Sequence, residues 1–293
     1  DPYAIIDDGS CFNDGPVLYV STDGNDFFGI GSELNPYLTI QHGIDASSDG
    51  DTVLVAAGTY VENILYYGKA ITLGSFFITT GDTSYISQTI ISGNGAEVVR
   101  FVDDEDANSI LEGFTLTNGG FGISLNNASP TIRYVHIINN SEAGIYCTYS
   151  NPSISYTIIK NNSGYVAGGI NLNNSDPILL NVLISDNTSS SAGGSGGIYA
   201  IYSNPVLQFV TVVNNINSAG ENVGGILLHY SNCTMTNSII WNNSDLEFYI
   251  DDASLTATFS NIQGGWEGEG NIDADPLFCN VDSSDFTLYD ISP

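Results

Sequence analysis

His136 and Lys160 are the residues whose types and spacing come nearest to proton-transfer chemistry in this sequence. Each sits in a short apolar run, "YVHIIN" (Tyr134 to Asn139) and "YTIIKN" (Tyr156 to Asn161). If the runs are strands stacked one repeat apart, two positions along and one strand over separates them by roughly 8 Å. The imidazole would be the base and the ammonium the neutraliser of an acid. Against this, a lone histidine on a strand face is more often structural than catalytic. Arg133 adds nothing, since it falls at a corner roughly 15 Å from Lys160 on the same spacings.

Carboxylates offer a second chemistry. There are 33 Asp plus Glu against four Lys plus Arg, a formal charge of -29. Phosphate recognition needs clustered cations, so nucleic acid and anionic membrane surfaces are excluded as partners. No apolar run approaches the ~20 residues of a membrane span, which excludes membrane insertion by a helix. "STDGNDFFG" supplies Asp23 and Asp26, and "VDDEDAN" supplies Asp103, Asp104 and Asp106. Hard oxygen ligands at such short spacing suit Ca²⁺. Neither stretch is an EF-hand loop, and a run of acids is also what a solvated surface looks like.

Tyrosines recur in register. Tyr146, Tyr199 and Tyr249 hold one outward position of a repeated strand, and Tyr149, Tyr202 and Tyr230 hold a nearby corner. Rings with apolar faces and polar edges suit sugar rings. The bland alternative is that tyrosine favours strand surfaces and stacks there for stability.

What would position these residues is a repeat. "GIYCTYSNP", "GGINLNNSDP", "GGIYAIYSNP" and "GGILLHYSNC" are versions of one phrase. Gly122 to Asn139, Gly144 to Asn161, Gly169 to Asp186, Gly197 to Asn214 and Gly225 to Asn242 are each 17 residues apart, with Glu247 replacing the glycine in the next copy. The complementary stretch varies between 4 and 11 residues, so every insertion falls in one corner. A constant cross-section with one variable loop is the signature of a solenoid. Within each coil, period-2 alternation points Val135/Ile137, Val182/Ile184 and Val210/Val212 inward, then Ile145/Cys147, Ile170/Leu172, Ile198/Ala200, Ile226/Leu228 and Phe248/Ile250. Leu111, Ile132, Ile154, Leu179 and Leu207 give a third inward row. The spacing therefore predicts three strands per coil, a parallel β-helix, with Asn139, Asn161, Asn214 and Asn242 stacked inside as an amide ladder. The glycines would serve a tight or positive-φ corner.

That frame leaves an apolar outward row: Ile138, Ile158, Leu183, Val213, Ile239 and Trp241. Such a patch should be covered, by the long corner loops (Thr188 to Gly196, Asn215 to Val223), by a further domain, or by a second copy in self-association. The regularity of the row favours the last. Cys147 falls inward as a buried thiol, whereas Cys11 and Cys279 sit near the two ends, and their pairing is left open by the sequence.

"LYVSTDGND…NPYLTIQHGIDASSDGDTVLVAAGTYVENI" (Leu18 to Ile64) resembles the opening of secreted right-handed parallel β-helix proteins of the pectate-lyase-like superfamily. "NIDADPLF" (Asn271 to Phe278) resembles their closing coil, and "DPYAIIDDGSC" resembles the tail of an acidic repeat in marine Bacteroidetes-type surface proteins. The resemblance implies an all-β right-handed parallel β-helix over residues 17–278, a capping helix around Leu38 to Ala46, a linker at 1–16 and a C-terminal flank at 279–293. It implies a secreted or cell-surface location. Superfamily lyases use Lys or Arg with Ca²⁺ or a further Arg, and the hydrolases use paired aspartates or Gly-His-Gly, none of which converges here. The expected function is thus a non-catalytic adhesive or glycan-binding element whose partner is a polysaccharide or cell-surface glycan. The rival is a lyase or hydrolase acting on acidic glycans.

Overall fold

The computed structural model describes residues 15–220, 223–280, 285–290 and 292–293. The expected linker over 1–16 lies almost wholly outside the described residues, and Cys11 lies outside them. Each coil contributes one strand to each of three parallel sheets, of ten, nine and eight strands. The ten-stranded sheet runs from Val17–Val20 to Ser254–Thr258, the nine-stranded from Gly58–Val61 to Asn261–Ile262, and the eight-stranded from Ile64–Leu65 to Leu246–Asp251.

Register sets like upon like. Ile132, Ile154, Leu179 and Leu207 stack in the first sheet, Ile137, Ile159, Ile184 and Val212 in the second, and Ile145, Ile170, Ile198 and Ile226 in the third. All twelve are buried in one continuous core. Each such side chain contributes about 1.5–3 kcal/mol of hydrophobic stabilisation. Cys147 lies in that core, where burial pushes its thiol well above the usual range.

The corners correct the amide ladder. Asn139, Asn161, Asp186, Asn214 and Asn242 adopt φ between 54 and 57°, and a left-handed residue breaks the period-2 alternation. The side chain after it, rather than the one predicted, turns inward. Of the predicted residues Asn242 still donates its Nδ2 to Oδ1 of Asn214 at 2.7 Å, but on the outside. The buried ladder is Asn140, Asn162, Asn187, Asn215 and Asn243, each Nδ2 donating to the next Oδ1 at 2.9–3.0 Å. It terminates on Glu247, which accepts from the amide of Asn243 and occupies the place of the missing glycine. Asn and Asp tolerate this conformation better than other non-glycine residues.

The repeated glycines are not at positive φ. A Cβ on Gly169 would lie 2.4 Å from the Gly197 carbonyl oxygen, and one on Gly144 would lie 2.9 Å from Asn162 Nδ2. They serve close approach to the ladder. Ser150, Ser175, Ser203 and Ser231 form a second buried ladder, each Oγ accepting a backbone N–H from the preceding coil.

The helix Ile40–Ala46 caps the N-terminal end, burying Ile40 and Ile44 over the first coil. At the C-terminal end Ile272 pairs in parallel with Asn261, extending the coil into the stretch expected to close it, and a hairpin follows. Phe278–Asn280 and Asp285–Leu288 pair as an antiparallel hairpin that folds back on the nine-stranded sheet. Phe278 and Phe286 pack there with Val213, Leu183, Ile239 and Trp241. The Leu183, Val213, Ile239 and Trp241 end of the apolar row is thus covered by the chain's own hairpin, and Val213 is 1% exposed. Ile138 and Ile158 are half-buried farther along the same face.

The long corner loops neither cover that row nor hang as slack. Ser163–Gly164, Thr188–Ser189 and Ile216–Asn217 stack as a three-stranded parallel ledge, continued by bridges Ala167–Ser195 and Ser195–Val223.

Candidate functional site

The eight-stranded sheet turns outward a row running Arg100, Ser124, Tyr146, Asn171, Tyr199, Leu227 and Tyr249. Two positions on lies a parallel row ending Asn173, Ile201, His229 and Asp251. Beside their last coils the ledge rises as a wall. Together they enclose a groove of about 410 Å³ floored by Tyr199, Leu227, Tyr249, His229 and Asp251 and walled by Ala192, Gly193, Val223 and Leu246.

Polarity in the groove is arranged around one pair. His229 Nδ1 lies 2.8 Å from Asp251 Oδ2. In the neutral imidazole, Nδ1–H donating there would leave Nε2 as an acceptor, and among the described residues no hydrogen bond engages the second aspartate oxygen. Tyr230 packs its ring on His229, with centroids 4.1 Å apart. Partial burial raises the pKa of the Tyr199 phenol, which keeps it a hydrogen-bond donor. Leu227 is almost buried and Tyr249 about half exposed, so the floor alternates apolar and amphipathic surface.

The six predicted tyrosines divide. Tyr199 and Tyr249 enter the groove. Tyr146 lies on the same row two strands from Tyr199, stacked on Phe121 at 5.1 Å. Tyr202 and Tyr230 stack at 5.2 Å on the neighbouring corner, and Tyr149 holds that corner two coils away, with Asn174 between it and Tyr202. His229 and Asp251 were not anticipated. Their signal was present, since both fall two residues after the groove-floor residues Leu227 and Tyr249.

The other candidates are engaged elsewhere. His136 stands opposite Ile158 and Ile138 opposite Lys160, so the pair are diagonal neighbours that no hydrogen bond joins. Burial lowers the His136 pKa, and Lys160 lies 3.9 Å from Asp186. Asp26 accepts from the backbone N–H groups of Leu38 and Thr39 and from Thr39 Oγ1, just before the capping helix. Burial opposes its ionisation, but those hydrogen bonds outweigh it and hold the carboxyl below its usual pKa. Asp106 accepts from Asn108, and Asp103 donates its backbone N–H to Glu105. Asp23 and Asp104 are exposed. Among the described residues no three His, Cys, Asp or Glu side chains come together as a metal-holding group. No helix among them is long and apolar enough to cross a membrane.

Stacked three-strand coils with a groove on one sheet define a single-chain parallel β-solenoid. The family described as right handed beta helix region matches residues 42–207, and the chain belongs to that family. Solved structures similar to it include pectate lyase Pel9A, at 15% identity and TM-score 0.50 over 97% of this chain and 90% of that one. Pectin methylesterase from Aspergillus niger is similar at 16% identity and TM-score 0.54, over 88% and 90% of the two chains. Pectin methylesterase from carrot is similar at 14% and 0.54, over 88% and 86%. At these identities the likeness is one of fold. No curated protein matches the chain.

Proposed function

We propose that this chain is a non-catalytic, extracellular glycan-binding module that holds a polysaccharide on the outward face of its eight-stranded sheet. The observation that supports the reading is the 410 Å³ groove, in which Tyr199 and Tyr249 flank Leu227 beside the hydrogen-bonded His229–Asp251 pair. Sugar rings pack their apolar faces on aromatic rings while their hydroxyls find donors and acceptors at the edges. Rigid coils fix those groups in advance, which lowers the ordering cost of binding.

The rival, cleavage of an acidic glycan, draws support from the same His229–Asp251 pair, because a carboxylate-held imidazole can act as a base. A lyase also needs a cation beside the uronate. Lys69 is tied to the carbonyls of Ile44, Asp45 and Ser47, Arg133 to Glu112, and Lys160 faces Asp186. Arg100 lies on the correct sheet but five strands from His229, ~24 Å away. Holding is thus better supported than cutting. Divalent ions enter the proposal as stabilisers of the acidic surface, not as members of the groove.

Native gels cast with soluble polysaccharides test the reading. At least one polysaccharide should retard the wild type, Tyr199→Ala and Tyr249→Ala should run freely, and the polysaccharide should keep its length. Shortened polysaccharide would establish the rival.

A further inference from the structure

The proposed binding leaves the class of sugar open, and the groove's charges narrow it. We infer that the groove takes uncharged sugars and rejects uronates. This inference rests on the glycan-binding reading. All four Lys and Arg of the sequence are among the described residues, and none lines the groove. Three of them are held by carboxylates or carbonyls elsewhere, and Arg100 is ~24 Å distant. The lining carries Asp251 as its acid, whose charge is at most balanced by His229, 2.8 Å away. A uronate carboxylate laid on Tyr249 would lose water beside Asp251 with no counter-cation, under the field of a chain of formal charge -29. A hydroxyl in the same place donates to the open Asp251 oxygen or accepts from the Tyr199 phenol, and loses nothing comparable. Tyr199 and Tyr249 lie two strands apart, about 9.5 Å, with apolar Leu227 between them, a span suited to successive rings of one extended oligosaccharide.

Calorimetric titration of the whole chain with cellohexaose, mannohexaose and hexagalacturonate, with and without Ca²⁺ and at two ionic strengths, decides the matter. At least one neutral hexasaccharide should bind at least ten-fold more tightly than hexagalacturonate in every buffer. Asp251→Asn should narrow that ratio, chiefly at low salt, by removing repulsion of the uronate. Hexagalacturonate binding as tightly as the neutral sugars, alone or through Ca²⁺, would overturn the selectivity and leave the glycan-binding reading standing. No binding by any of the three would overturn both.

Discussion

Asn162 donates its Nδ2 to Oδ1 of Asn187 on the next coil at 3.0 Å, with both side chains fully buried. Asn162 Oδ1 also accepts from the backbone and side-chain amides of Asn140. Asn162→Leu would strand these groups without water, at about 1–3 kcal/mol each. A loss of more than 3 kcal/mol in chemical denaturation is expected. Asn161→Gly, one residue away, should change stability by a few tenths of a kcal/mol, because Asn161 is exposed at φ 56°. Equal losses in the two variants would return the ladder to Asn161.

The hairpin yields a second prediction. Phe286→Asp places a charge against Val213, Ile239 and Trp241 and should release the hairpin while the coils stay folded. In a Trp266→Phe background, Trp241 emission should shift to the red in this variant, and the parent should scatter light as a monomer. A blue-shifted Trp241 in the variant, or a dimeric parent, would show that another surface covers the row.

Burial lowers the His136 pKa below its ordinary 6.5. Between the folded value and 6.5 the unfolded chain binds more protons, so stability rises with pH across that window. The contribution is fully present above pH 6.5 and is lost as pH falls through the folded value. His136→Leu should flatten the acid-side loss relative to wild type in denaturant titrations at successive pH values. Parallel curves for the two proteins would place the acid sensitivity elsewhere.

Asp26 separates loop-tethering from ion binding. Its removal in Asp26→Ala leaves the N–H groups of Leu38 and Thr39 without their acceptor and should cost about 1–3 kcal/mol. The cost should be the same in EDTA and in Ca²⁺ at matched ionic strength, while Ca²⁺ raises the melting temperature of both proteins alike through the acidic surface. A cost seen only with Ca²⁺ would make Asp26 a ligand.

The coil was legible because stacking makes sequence spacing periodic. The constant 17-residue block and the rows Ile145–Ile170–Ile198–Ile226 are register facts that need no coordinates. The ladder was misplaced by one residue for a physical reason. Asn139-Asn140, Asn161-Asn162, Asn214-Asn215 and Asn242-Asn243 are pairs, so a shift of one leaves the spacing unchanged, and only the left-handed φ of the first member decides which turns in. The left-handed aromatic corner was missed altogether, with Tyr134 and Tyr156 stacked at 4.8 Å and both at positive φ, because bulky residues seldom adopt it. The groove was half legible. Its tyrosines follow from register, but its wall depends on how variable loops of different length stack into a ledge, which no period encodes. The hairpin lay beyond the repeat, so nothing periodic announced what covers Trp241.

Chemical-shift mapping with neutral and uronate hexasaccharides in turn tests the central claim most directly. The shifts from whichever binds should cluster on Tyr199, Leu227, His229, Tyr249 and Asp251. Shifts centred instead on the smaller cleft between Trp241, Leu277 and Tyr289, or no shifts with either, would contradict a sugar-holding groove on the eight-stranded sheet.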